Sequence, residues 1–305
     1  MAEKVKTVLL VGATGSLGRV LGPIIGADWS MVAVSRTSAH TSGVEADMAD
    51  PDLARRVLDA HAPDIIVNLA ALTDVDDCES DESFARHLNV TLCKNLADWA
   101  LKRSAATRIV HISTDQVYSG PGPHMEEHPQ PINVYARTKL AGECEVLRAP
   151  SSVVLRTNFF NAGPGVTRGL AAWLLNSLAD GTKIRLFEDI LFNPLYAPDL
   201  ARIVTRFMQN DATGVFNVGA TDGLSKAEFA RLLADRFGLS LANAVPAIST
   251  DENLSAPRPK DMRMDTARLT KLIGKTMPTV GDGVDALRRD TVALNWQPLA
   301  LANVR

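Results

Sequence analysis

Apolar runs and amphipathic stretches alternate along the first half of the chain. "KTVLLVG" (6–12) is a β-branched apolar run ending on glycine, the pattern of a strand buried on both faces of a parallel sheet. "SLGRVLGPII" (16–25) then reads as a helix, and "SMVAVSR" (30–36) as a second strand. "DPDLARRVLDAHAP" (50–63) opens with Asp-Pro and carries apolar residues at helical spacing. "DIIVNLAA" (64–71) is a strand, and "DESFARHLNVTLCKNLADWALKR" (81–103) a long helix with apolar positions at 84, 88, 92 and 96. "TRIVHIST" (107–114), "NVYARTKLAGECEVLR" (133–148) and "SSVVLRTN" (151–158) continue as strand, helix and strand.

This order predicts an α/β fold, a doubly wound parallel sheet with helices on both faces. In such sheets ligands bind beyond the carboxyl ends of the strands. Gly12, Asn68 and the pair Ser113–Thr114 each close a strand, so the chemistry-bearing residues gather at that edge.

Past residue 158 the alternation weakens. Helices are predicted over 165–181, 197–210 and 225–239, the last behind a serine cap, with strands over 183–189 and 214–219. The stretch 250–274 is polar and proline-punctuated, so part of it should be loop. The expected organisation is a dinucleotide-binding domain over 1–158, joined by returning segments near 193–220. A smaller substrate-binding α/β part covers 159–192 and 221–305.

Composition narrows the class. The 305 residues are 46% hydrophobic and 22% charged, ordinary for a globular protein. A formal net charge of −3 gives no footprint for nucleic acid or an anionic membrane. No apolar run approaches the ~18 residues of a membrane span. The first residues lack the long apolar region of a secretory signal. Cys78, Cys93 and Cys144 are scattered without metal-type spacing. They read as reduced packing thiols, and the expectation is a cytoplasmic protein.

"VGATGSLGRV" (11–20) places Gly12, Gly15 and Gly18 between a strand and a helix. Glycines suit a tight turn that brings backbone close to a pyrophosphate at a helix N-terminus. The GxxGxxG spacing is one residue longer than GxGxxG, and its place in the first strand–helix turn points to a dinucleotide. Where an acid would bind the ribose hydroxyl of NAD, this chain has Ser35 and Arg36. Arginine suits the extra phosphate, which favours NADP over NAD. Asp47 reads as an adenine contact or as a strand-end turn residue. Tyr135 and Lys139 lie four apart and share a helical face. A nearby ammonium lowers the pKa of a phenol, from ~10, by stabilising the phenolate.

The order GxxGxxG, "NLAA" (68–71), "STDQVYSG" (113–120) and "YARTK" (135–139) resembles the extended short-chain dehydrogenase/reductase family, of Rossmann fold. "NLAALTDVDDCESD" (68–81), "NVYARTKLAGE" (133–143) and "RPKDMRMD" (258–265) are similar to its dTDP-4-dehydrorhamnose reductase branch. The resemblance implies an NADP(H)-dependent reductase of a 4-keto-6-deoxy nucleotide sugar. Its catalytic set is Thr114, Tyr135 and Lys139. Its cofactor set is Gly12, Thr14, Gly15, Ser16, Leu17, Gly18, Arg36, Asp47, Met48, Leu69, Ala70, Ala71, Thr73, Asn89, Tyr135, Lys139 and Asn158. Asn89 would support the lysine through water, unless it is simply bonded to nearby backbone. Sugar contacts would come from Asp115, Tyr118, Phe159, Asn193 and Arg258, with packing or a solvated arginine as the plainer alternatives.

No metal site is implied, since His111 reads as buried structure and His124 and His128 as turn residues. A homodimer is an allowed assembly. Two departures bear on the substrate: Gln116 stands where the branch has tyrosine, and Leu195 where it has a polar residue. The alternatives are an NAD-dependent nucleotide-sugar epimerase, or a non-catalytic subunit like that of methionine adenosyltransferase.

Overall fold

Successive residues of the first strand point into opposite layers. Val8 and Leu10 enter one apolar core while Leu9 and Val11 enter another, and strands at 65–68, 109–112 and 153–155 split the same way. A strand buried on both faces reads as an unbroken apolar run for this reason. The computed structural model describes residues 5–37, 43–103, 106–249 and 254–298.

In chain order the strands are β1 (Thr7–Val11), β2 (Ser30–Ser35), β3 (Val44–Glu45), β4 (Ile65–Asn68), β5 (Arg108–Thr114), β6 (Ser152–Thr157), β7 (Phe159–Phe160), β8 (Ile184–Phe187), β9 (Leu191–Phe192), β10 (Leu195–Tyr196), β11 (Gly214–Val218), β12 (Leu224–Ser225) and β13 (Ala244–Ala247). The helices are α1 (Ser16–Asp28), α2 (Pro51–His61), α3 (Val75–Ser80), α4 (Glu82–Arg86), α5 (Leu92–Lys102), α6 (Val134–Val146), α7 (Leu170–Ala179), α8 (Ala197–Gln209), α9 (Lys226–Phe237), α10 (Ala267–Ile273) and α11 (Val280–Ala293).

Seven strands form one parallel sheet in the order β3-β2-β1-β4-β5-β6-β11. The order reverses between β1 and β4, which opens a crevice at their carboxyl ends. Helices α2, α5 and α6 pack together on one face, and α1 with α8 on the other. The later segments add three small strand pairs, β7 with β10, β9 with β12 and β8 with β13.

The long helix expected over 81–103 is broken. A π-helical turn, His87–Thr91, separates α4 from α5. It rotates α4 out of phase, so Phe84 is 40% exposed while Leu88, Leu92 and Leu96 are buried. Helix α6 presses on this turn at Gly142, where an added Cβ would lie 2.2 Å from the carbonyl oxygen of Asn89. Helices α3 and α11 lie outside the predicted set, although their caps are legible. The Asp74 carboxylate accepts from the N–H groups of Asp76 and Asp77, and Thr279 with Asp282 forms a capping box.

Of the polar stretch 250–274, residues 250–253 lie outside the described residues, 254–266 form no helix or ladder strand, and α10 follows. His124, expected in a turn, instead forms an isolated β-bridge with Met264; its residue is buried, and its ring stacks on Tyr118 at 4.9 Å and meets the Asp261 carbonyl.

Candidate active site

The turn after β1 depends on glycine at two points. Gly12 has φ +86°, and a Cβ there would meet the Ala70 nitrogen at 2.9 Å. A Cβ at Gly18 would sit 2.5 Å from the Gly12 carbonyl oxygen, so α1 could not pack against the turn. Gly15 is the N-cap of α1; no side chain caps the first turn and no acid occupies it. The N–H groups of that turn therefore face outward with their partial positive charge, a setting for a phosphate.

A cavity of about 590 Å³ runs from this turn along the ends of β1 and β2. Gly12, Thr14, Gly15, Arg36, Asp47, Met48, Leu69, Ala70 and Ala71 line it. The Arg36 guanidinium lies over the Phe84 ring, 5.8 Å from its centroid, so the ring that the π-helical turn leaves outside the core meets a cation. Asp47 accepts from the Ala49 N–H at 2.9 Å in a local turn and also lines the cavity wall.

A second cavity, about 620 Å³, adjoins the first through Gly12, Gly15, Leu69 and Ala71. Ser16, Leu17, Gly18 and Thr73 also line it. The end of β5 brings Thr114 and Asp115, α6 brings Tyr135 and Lys139, and the end of β6 brings Asn158 and Phe159. Asn133 caps α6 by accepting from the Ala136 N–H at 2.8 Å, which fixes where Tyr135 begins the helix. The Lys139 ammonium donates to the Ile112 carbonyl at 2.8 Å.

Tyr135 departs from the sequence expectation in one respect. Burial dominates its titration and pushes the phenol well above its ordinary value; the Thr114 hydroxyl pulls the other way, and Asp115 and Cys78 add to the rise. Burial likewise depresses Lys139. The spacing of the two residues reveals their shared face, not how dry that face is.

Asp115 is buried and pushed up to about 6, chiefly by burial, against the hydrogen bonds from Asn158 and Thr114 and the charge of Lys226. An unfolded aspartate titrates near ~3.9. The folded state thus binds the proton more tightly, a contribution present below pH ~4 and lost as pH rises through about 6. Asp115→Asn removes the cost of the buried charge. We expect it to stabilise the protein by on the order of 3 kcal/mol at pH 8, with the gain vanishing near pH 4. Thermal melts of both proteins across that range check this; a gain independent of pH contradicts it.

A third cavity of about 280 Å³ is lined by Gln116, Arg185, Phe187, Lys226 and Arg258, among others. Arg258 pairs with Asp76 at 2.9 Å and donates to the Ala256 carbonyl.

Three residues expected in the site lie elsewhere. Tyr118 is fully buried; its hydroxyl donates to Asn217 at 2.7 Å and accepts from Arg156 at 2.8 Å, so it belongs to the core beneath the cleft. Asn193 is buried and bonds the backbone of Ala220 and Met264, holding two returning segments together. Asn89 lines none of the three cavities. Its amide clasps the N–H and carbonyl of Leu72 and donates to Thr138, tying the loop beside Thr73 to α6.

Lys226, Arg185 and Thr157 are cavity residues that the sequence reading missed. Lys226 had a signal: a cation in the first turn of a helix opposes the macrodipole, so something besides helix formation must favour it. Among the described residues, no group of three or more His, Cys, Asp or Glu is placed to hold a metal ion, and no helix is long and apolar enough to cross a membrane.

A sheet of this order, a glycine turn at its switch point and a threonine, tyrosine and lysine in one cleft define an extended short-chain dehydrogenase/reductase, a class of NAD(P)-dependent oxidoreductases. Residues 6–291 match the family described as RmlD substrate binding domain, and the chain belongs to that family. It is similar to methionine adenosyltransferase 2 subunit beta of Danio rerio, 30% identical over 278 residues, 88% of this chain and 85% of that one. It is equally similar to dTDP-4-dehydrorhamnose reductase of Mycobacterium tuberculosis, 30% identical over 267 residues, 85% of this chain and 84% of that one. The crystal structure of dTDP-4-dehydrorhamnose reductase from Bacillus anthracis in complex with NADP superimposes with a TM-score of 0.84 at 24% identity, covering 95% of this chain and 100% of that one.

Proposed function

We propose that the protein is an NADP(H)-dependent reductase of a 4-keto-6-deoxy nucleotide sugar. The observation that carries this reading is the meeting of Thr114, Tyr135 and Lys139 in a cavity that adjoins the glycine turn. The reductases among its relatives support it. The residues present fit the dinucleotide. Gly12 and Gly18 leave no room for side chains; the uncapped α1 N-terminus would hold the pyrophosphate, and Arg36, on the cavity wall, would hold the 2′-phosphate.

The chemistry brought by bound NADPH is reduction of a carbonyl carbon by hydride. Negative charge then develops on the carbonyl oxygen, and a positioned acid must supply a proton. Because burial raises its pKa, Tyr135 keeps its proton at neutral pH and is poised as that acid. The Thr114 hydroxyl, which donates to Asp115 in the structure, would turn to donate to the same oxygen and orient it. Lys139, held by the Ile112 carbonyl, places a positive charge in the wall where the phenolate forms, and offers donors to the nicotinamide ribose.

The test is NADPH oxidation across a panel of dTDP-linked sugars. Turnover of a 4-keto-6-deoxy member supports the proposal, and inertness toward every ketone in the panel rejects it as a reductase. Arg36→Asp should cut the preference for NADPH over NADH at least about tenfold, the worth of a charge-assisted hydrogen bond. An unchanged ratio would remove Arg36 from the cofactor site.

A second reading has one specific support, the similarity to methionine adenosyltransferase 2 subunit beta. As a subunit, the protein would hold the dinucleotide without turning over sugar. Stable association with a methionine adenosyltransferase, together with no NADPH oxidation, selects it.

A further inference from the structure

Gln116 is the one described residue that lines both the reaction cavity and the cationic cavity beside it. Its amide oxygen Oε1 is buried and has no hydrogen-bond partner among the described residues. Buried acceptors in folded proteins are nearly always paired, so an unpaired one on a residue that lines two cavities calls for a donor. Lys226, on the wall of the same cavity, presents the complementary need. Its ammonium makes no hydrogen bond or ion pair among the described residues, it sits in the first turn of α9 against the macrodipole, and Arg258 adds a like charge nearby. The carboxylate it faces, Asp115, already accepts from Asn158 at 2.7 Å and from Thr114.

An acceptor in want of a donor and a cation in want of an acceptor thus stand at one junction. A hydroxyl satisfies both, donating its hydrogen to Gln116 and accepting from Lys226. A carboxylate or the diphosphate diester of a nucleotide sugar has no hydrogen to give, and a deoxy carbon leaves both groups unpaired. With the reacting carbon at Tyr135 and the anomeric diphosphate toward Arg258, the hydroxyl-bearing ring carbons between the two would be C-2 and C-3, since the other edge of the ring holds only C-5 and the ring oxygen.

We infer that Gln116 and Lys226 select a sugar bearing a free hydroxyl at C-2 or C-3 over its deoxy counterpart. The inference rests on the nucleotide-sugar reading above and adds to it which sugars the site accepts.

Titration calorimetry of the NADPH-loaded protein with dTDP-glucose, dTDP-2-deoxyglucose and dTDP-3-deoxyglucose tests this without turnover, since none of the three is a ketone. One deoxy sugar should bind at least about tenfold, and up to about 100-fold, more weakly than dTDP-glucose. Gln116→Leu and Lys226→Met should each bring dTDP-glucose down toward the deoxy sugar while NADPH still binds normally, which reports on folding. Equal binding of all three sugars by the unaltered protein overturns the inference without recourse to variants. So does a hydroxyl preference that survives in both variants. If NADPH binds and none of the sugars does, the nucleotide-sugar reading itself falls and this one with it.

Discussion

Replacing Tyr135 with phenylalanine should leave a folded protein that binds NADPH normally but turns over its sugar about 10²–10⁴-fold more slowly. The hydroxyl is the only atom lost. The ring still fills its place in the small apolar cluster of Val75, Cys78, Ala85, Val134 and Ala256, so stability should change little. The loss should fall on kcat rather than KM, because proton donation matters only as charge develops on the carbonyl oxygen. The pH dependence carries independent information. A phenol whose pKa is raised by burial stays protonated through neutral pH, so reduction should not decline as pH rises from 7 to 9. The reverse oxidation, which needs the phenolate, should speed up over that range. Turnover within a few-fold of the unaltered protein in Tyr135→Phe would remove the proton-donor assignment.

Glu143→Ala is the substitution expected to cost the most stability. Glu143 is 1% exposed and Arg156 3%, and their ion pair at 2.7 Å ties α6 to β6. The Ser113 hydroxyl donates to the same carboxylate from β5, while Arg156 also donates to Tyr118 and to the Glu126 carbonyl. Truncation leaves a guanidinium buried without its counter-charge, a loss of about 3–5 kcal/mol. For a chain of this size the melting temperature should fall by about 6–10 °C. Glu143→Gln keeps the shape and removes the charge, so it should recover only part of that. A fall of under about 2 °C for the alanine variant would show that the pair is not the anchor its burial suggests. Because β5, α6 and β6 all carry cleft residues, the loss should also lower activity below the melting range.

The parts of the fold that were legible in the sequence are those set by neighbours along the chain. Six of the seven strands of the sheet follow from apolar runs closed by glycine or a polar residue, β3 being too short to leave one, and the turn at 12–18 follows from three glycines whose spacing matches close backbone approach. The residues that went astray depend on partners far away. Tyr118 follows the threonine of the cleft by four positions, yet its hydroxyl is claimed by Asn217, 99 residues on. Asn193 is held by Ala220 and Met264. Phe84 fitted an apolar stripe until the π-helical turn shifted the phase. The tyrosine–lysine pair was legible as a shared face, but the dryness that governs Tyr135 comes from α3 and the 256 loop, which no four-residue spacing reveals. Lys226 went unnoticed because a lone lysine beside a serine cap resembles any solvated helix start.

Gly142 fixes a gap. With no side chain to keep them apart, α6 and the turn at Asn89 touch backbone to backbone, and Asn89 in turn grips Leu72 and Thr138. The bank of the cleft that bears Tyr135 and Lys139 is thereby bolted to the bank that bears Thr73. An alanine at 142 would act as a wedge, forcing α6 and the turn at Asn89 apart and shifting the helix that carries Tyr135 without altering any residue that lines the cleft.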